Sequence, residues 1–320
     1  MDKGYFIFKR IAMIIPMLLI VSVIAFALSN LSAGDVAEIT IRNEGGIVTP
    51  ETLAQVRQEL GLDQPLILQY LNWLGNAVQF DFGNSFSSGK PVMQEILSRF
   101  PATLLLAVTA TVMAFVIAVP IALVSAKYQG GVLDHGLRVV TTAGATMPNF
   151  WLGLLLLYAF AIHLGIVPVI AGNHFANVFL PAFTMCLGDA AVYIRMIRSN
   201  LIEVMRSDYV KAAKAKGMGE NMVLIKHGLK NAVLPCFTLI ATNFGGLLTG
   251  SFAVETIFSW NGIGKYAVES VKAKDFPVIQ GYIIAAALAY VFVNLIVDIV
   301  YFYIDPKIKL ERRYRRWVKA

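Results

Sequence analysis

The chain has 320 residues, 57% of them hydrophobic and 15% charged, with a mean hydropathy of +0.66 and a formal charge of +7. So much apolar content with so few charges excludes an ordinary water-soluble domain and makes the bilayer the expected solvent. A basic balance beside an anionic inner leaflet needs no nucleic-acid partner to explain it, and two cysteines do not suggest a disulfide framework.

Six runs are long enough to cross about 30 Å of hydrocarbon: residues 11–28, 103–126, 139–165, 178–194, 233–258 and 278–304. The first follows Lys9 and Arg10, as the core of a signal peptide would, yet no small-residue cleavage site stands behind Leu28. It reads as a retained span. Domain organisation follows: a cytoplasmic start and first span over 1–28, an external segment over 29–102, a five-helix core over 103–304, and a basic tail over 305–320.

The external segment carries eight acids and four bases. Pro50 and Glu51 open a short amphipathic helix with Leu53, Val56, Leu60 and Leu62, and residues 64–78 hold a second apolar pattern around Trp73. Gly83, Gly89 and several serines mark turns, so the segment predicts a small cap outside the bilayer. With the N-terminus inside, 20 of the 27 basic residues fall on the cytoplasmic side, which places both termini there.

Prolines 16, 120, 148, 181 and 235 lie in or beside spans, where each removes a backbone donor. Met147 and Pro148, flanked by Gly144 and Gly153, form the best candidate hinge. Charges within spans are expensive. Asp189 is either half of a structural pair, with Arg195 or a base of a partner chain, or part of a polar lining of a translocation path, while Glu255 and Asp298 sit near span ends. Met147, Met185 and Cys186 read as packing residues rather than metal ligands.

Residues 195–235 carry eight Lys or Arg against three acids. Within this loop, Asp208 to Lys216 predicts a short helix stopped by Gly217, with Tyr209, Ala212, Ala213 and Lys216 on one face where small side chains allow close approach of a partner. The plain alternative is a basic loop resting on lipid headgroups.

No enzyme signature fills the gaps. The NGIGK run at 261–265 lacks the first Gly of a phosphate loop, since Ser259 stands there, and Tyr266 replaces the Ser or Thr. His135, His163, His174 and His227 have no zinc spacing, so no catalytic residue, cofactor site or metal site is expected on this chain.

Several words of the sequence, in order, resemble the dipeptide, oligopeptide and nickel permeases of ABC importers. They are Gly34-Asp35, Phe80-Asp81-Phe82-Gly83, Pro101-Ala102-Thr103-Leu104, Met147-Pro148-Asn149-Phe150-Trp151, Asp208-Tyr209-Val210 with Ala213, Ala215, Lys216 and Gly217, Asn231-Ala232 with Leu234-Pro235, and Asp305-Pro306-Lys307. The resemblance runs almost end to end. It implies an all-α membrane protein of the bacterial cytoplasmic membrane, with six transmembrane helices, an external cap and a cytoplasmic coupling helix. It also implies a homologous second permease subunit, two cytoplasmic ATPases that hold ATP and magnesium, and an external binding protein.

The family's EAA pattern in loop 195–232 falls on Lys211, Ala212, Ala213 and Gly217, with Lys211 departing from the usual Glu. This implies ATPase coupling through Asp208, Tyr209, Lys211, Ala212, Ala213, Lys216 and Gly217, while the in-span charge at Asp189 and the hinge at Met147 and Pro148 are the candidates for a translocation path. Residues 61–74, 147–151 and 254–268 look closer to nickel-type permeases than to general peptide ones. A stand-alone secondary transporter or channel is the rival reading.

Overall fold

The structure, a computed structural model, describes residues 3–31, 35–43, 45–170 and 177–304. Among them every extended element is helical, and the only bridge between extended segments is the isolated pair Asn84 and Pro91. Among the described residues five helices are long and apolar enough to cross a membrane, and a bent pair makes a sixth if counted as one span. The Asp305-Pro306-Lys307 word, Gly34 and the basic tail lie outside the described residues.

The chain forms two compact units. The first comprises Met1–Thr103 and Asn261–Val291. It opens with α1 (Lys3–Leu31), which contains Pro16, followed by α2 (Val36–Asn43), α3 (Pro50–Glu59) and α4 (Leu66–Val78). Helix α3 starts where the sequence predicts: Thr49 and Thr52 satisfy each other's backbone N–H groups in a capping box, and Pro50 takes the first helical position. Glu51, exposed in that first turn, is held below the usual carboxylate range by its own backbone N–H and then by the Thr49 hydroxyl.

Helix α4 leans on α1 through a 2.8 Å hydrogen bond between Ser22 and Tyr70 and through Phe26, whose ring meets Tyr70 edge-on at 5.5 Å and Trp73 at 5.9 Å. The segment after α1 does not build its core alone. Phe82, Val92 and Ile96 pack with Ile263, Tyr266 and Val278. The latter three come from α13 (Ile263–Ala273) and from the start of α14 (Phe276–Ile304).

The second unit comprises Leu104–Trp260 and Phe292–Ala320. Helix α5 (Val92–Lys127) starts eleven residues before the expected span, because Val92 and Ile96 already belong to a buried core, and it runs without a break through Pro101 and Pro120. At 1.5 Å per residue it is about 54 Å long, more than the hydrocarbon requires. Along it, Leu106, Ala107, Ala110, Ala114, Ala118 and Ala122 are buried while Val108, Val112 and Val116 are exposed. Apart from Leu106, the packed face carries alanines, and the valines sit on the face left for lipid.

The third expected span is broken in two. Helix α6 (Val132–Thr146) ends at Met147, and α7 (Asn149–Leu157) starts after Pro148 and continues as one π-helical turn over Tyr158–His163. The two directions differ by 100°. Met147 and Pro148 are both extended, with ψ of 128° and 132°, because a residue before proline is pushed out of the helical region and proline cannot donate to the preceding turn.

Helix α8 (Phe179–Met205) also differs from expectation, running on through residues 195–205. Ile197 and Leu201 keep its buried face apolar after the hydrophobic run ends. Pro181 lies in its first turn, where the missing N–H has no intrahelical partner to lose. After α9 (Asp208–Ala215) come α10 (Glu220–Val223), a π-helical turn over Leu224–Leu229, and α11 (Lys230–Gly250), which together form the fifth span. This span starts well before residue 233 and stops at Ser251, so residues 252–257 form a separate short helix, α12 (Phe252–Ile257).

Candidate functional site

Helix α9 covers the segment read as the coupling helix, starting at Asp208 as expected and ending one residue earlier, at Ala215, with Lys216 as its C-cap. Its end is a Schellman motif: the Gly217 N–H donates to the Lys214 carbonyl at 3.0 Å and the Met218 N–H to the Ala213 carbonyl at 3.4 Å. Gly217 has φ +82°, a conformation that glycine adopts without steric cost. The assignment of faces is different from the expected one. Ala213 is buried with Val210 and Val223, against Val204, Met205 and Met218, so it packs onto its own chain.

The exposed residues are Asp208, Tyr209, Lys211, Ala212, Lys214, Ala215 and Lys216. The spacing of Ala212 and Ala213 leaves either one able to point outward; the methionines and valines on neighbouring segments decide for Ala213 inward. Lys211, which stands where the family has Glu, donates to Asp208 Oδ1 at 2.8 Å on the exposed surface. Such a local pair adds little stability. Tyr209, half exposed, accepts a 3.0 Å hydrogen bond at its hydroxyl from the Asn231 amide at the start of α11. A second amide, Asn200, donates to the Ala232 carbonyl at 3.0 Å and joins α8 to the same place.

The path candidates lie on α8 and at the broken helix. Asp189 is paired with Asn243 of α11, whose amide donates to Oδ1 at 3.0 Å, and not with Arg195, which is exposed. Its Oδ2 is buried with no partner among the described residues. Cys186 and Tyr193, within four residues of Asp189 on the same helix, are fully buried, as is Cys236 of α11. The α6–α7 break approaches this part of α8: a Cβ added to Gly188 would stand 3.8 Å from Asn149 Oδ1. Met147 and Pro148 are exposed at the break. Asn243 is a site residue that the sequence reading missed, although a lone amide inside an apolar span is the signal that would have found it.

Glu255 is fully buried in α12 and accepts a 2.7 Å bond from the Ser251 hydroxyl, an account of this charge as structural. The side chain of Asp298 lies outside the described residues. Among the described residues no three His, Cys, Asp or Glu converge as metal ligands. The NGIGK run opens α13, and its Ile263 N–H is occupied by the Thr103 hydroxyl at 2.9 Å.

Two further constellations stand outside the predicted site residues. In the first unit, the fully buried Asp275 accepts from the Ser85 hydroxyl at 2.6 Å and from the backbone N–H groups of Phe86 and Ser87 at 3.1 Å each. Near it, Arg99 lies 4.3 Å over the Tyr266 ring and pairs with Glu95, and burial raises the Tyr266 phenol above its ordinary value. In the second unit, Asp134 is fully buried and paired with Arg198.

The family model described as "Binding-protein-dependent transport system inner membrane component" matches residues 118–310, and its companion, "Binding-prot-dependent transport system membrane comp, N-term", matches residues 4–107. The chain belongs to this permease family. Among its relatives, the glutathione transport system permease protein GsiC of Escherichia coli K12 is 39% identical over 95% of this chain and 98% of its own length. GsiC of Shigella flexneri serotype 5b is 38% identical over the same shares.

Among solved structures, a chain of the MetNI methionine ABC transporter in an inward facing conformation matches 65% of this permease and 97% of its own length, with a TM-score of 0.51 at 16% identity. That likeness concerns the fold alone. The resemblance to permease subunits of ABC importers in the peptide branch is thereby borne out, and the chain is a multi-pass transport component rather than an enzyme. The leaning of its sequence words toward nickel gains no support from these relatives.

Proposed function

We propose that this chain is one of two homologous permease subunits in an ATP-driven importer, and that it passes a glutathione-like or other small peptide delivered by an external binding protein. Two cytoplasmic ATPases hold ATP and magnesium, both termini lie on their side of the membrane, and the segment after α1 lies on the opposite side. The observation that carries this reading is helix α9. Val210 and Ala213 fix it from behind, Gly217 stops it, and Asp208, Tyr209, Lys211, Ala212 and Lys216 are left on an outward face whose small alanine admits a close partner.

In this reading Met147, Pro148 and Asp189 border the translocation path. A glutathione-like cargo is supported by the 39% identity to GsiC over nearly the whole chain. A nickel chelate is the second cargo, favoured by the motif wording of residues 254–268. A stand-alone secondary transporter would be expected to set coupling carboxylates against each other, whereas Asp189 is answered by the neutral Asn243.

Uptake of labelled glutathione, a labelled dipeptide and radioactive nickel, in cells carrying or lacking this gene and its ATPase partners, tests the proposal. Uptake of glutathione or the dipeptide that needs both supports it. Uptake that persists without the ATPases overturns the importer, and uptake of nickel alone overturns the cargo.

A further inference from the structure

Asp134, in the first turn of α6, is a fully buried charge of the second unit. Each carboxylate oxygen accepts two hydrogen bonds. Oδ1 receives the Ser125 hydroxyl of α5 at 2.6 Å and Arg198 Nε at 2.8 Å. Oδ2 receives the Gly130 N–H, from the turn between α5 and α6, at 2.9 Å and Arg198 Nη2 at 2.6 Å. Arg198 therefore grips Asp134 with both prongs of its guanidinium fork, a geometry that lysine cannot reproduce.

A buried ion pair gains little net stability over an apolar contact of the same volume, but removing one partner is costly because the other is left buried and uncompensated. Two segments joined in this way move together. The position of the pair gives that rigidity a use. Arg198 lies about two turns before the end of α8, and that end, through Val204 and Met205, packs on Val210 and Ala213 of α9. Asp134 begins α6, which packs along α8 and ends at Thr146 beside the 100° break. One route from the outward face of α9 to Met147 and Pro148 is thus α8, the Arg198–Asp134 fork, then α6.

We propose that Arg198 and Asp134 are positioning residues that deliver displacement of helix α9 to the broken helix at Met147 and Pro148. The proposal rests on the permease reading above. In this arrangement the exposed alanine face receives the motion, and the buried fork converts it into a shift of α6 without slack.

The test uses the whole transporter, with its ATPases, partner permease and binding protein, in proteoliposomes. Two quantities are read for each assembled complex: glutathione or dipeptide uptake per ATP hydrolysed, and the change on ATP binding in the rate at which a thiol reagent labels Met147→Cys. Cys186 and Cys236 are buried and leave the probe as this chain's reactive thiol, whose labelling is read on this chain alone. Arg198→Lys keeps the charge and removes the fork, and Asp134→Asn keeps the shape and removes the charge. Both are expected to lower uptake per ATP by about tenfold, the size of a typical coupling free energy between sites, and to abolish the ATP-dependent change in labelling.

If Asp134→Asn does not assemble, Ser125→Ala, which removes one of the four donors, is read in the same way and is expected to give a smaller drop. Arg195→Lys, at an exposed position on the same helix, is expected to match the wild type. Wild-type coupling and labelling in assembled Arg198→Lys complexes would overturn the proposal and leave the permease reading standing. A wild-type complex without ATP-driven uptake would overturn the permease reading, and the proposal with it.

Discussion

Gly281 of α14 lies so close to Val92 of α5 that a Cβ at position 281 would stand 2.7 Å from the valine Cγ1. Ile96 Cδ1 and Phe82 Cγ would follow at 3.3 Å each. Gly281→Ala should therefore strain this core by about 1–3 kcal/mol, as overpacking does, and lower the thermal midpoint of the purified protein. Gly246→Ala in α11 has nothing within 4 Å of the new methyl and serves as the comparison. Equal midpoints for the two variants would show that the Gly281 contact is not tight.

The Asp275 carboxylate makes a second prediction in the same unit. Its bonds hold the turn that begins at Ser85, and hydrogen bonds to a charged group are worth about 1.5–3 kcal/mol each. Asp275→Ala should release the Phe86 and Ser87 amides to fast hydrogen exchange, while amides of α4, which the carboxylate does not touch, keep their protection. Unchanged protection at Phe86 and Ser87 would mean that the turn is held by something else.

Helix α9 separates docking from folding. Ala212→Glu should leave its amides protected and stop ATP-driven uptake, because it places a charge on the outward face. Ala213→Glu should lose the protection itself, since a carboxylate in the Val210–Val223 cluster lacks any compensating partner there. Gly217→Val should weaken the helix end by roughly 1 kcal/mol or more, the cost of forcing a β-branched residue to φ +82°. Full uptake with Ala212→Glu would remove the coupling role from this face.

How much of this was legible in the sequence depends on the kind of signal. Hydrophobic length finds spans, and the start of α3 and the stop of α9 are written in short-range chemistry, at Thr49-Pro50 and at Gly217. The 100° break was half legible: proline at 148 marks the place, but whether a helix merely bends there depends on packing outside the motif. Tertiary choices were not legible. The inward turn of Ala213 depends on how the segments on either side of α9 fold back, and the Asp189–Asn243 pair, the gathering of donors on Asp275 and the Arg198 fork on Asp134 each join residues far apart in the chain. In the last case Arg198 reads in the sequence only as one of the eight bases of residues 195–235.

Topology is directly checkable. A cysteine at Ser88, exposed in the turn after Ser85, should react with a membrane-impermeant reagent applied from outside, and one at Gly219, exposed before α10, should not. Labelling at both positions in sealed cells would contradict the six-span arrangement.

Coupling of this chain to a separate ATPase through α9 predicts that the two stay together on purification in mild detergent. A tagged wild-type chain should bring its ATPase subunits with it, and the Ala212→Glu chain, equally inserted, should not. Recovery of intact, membrane-inserted wild-type chain without any ATPase would contradict the account.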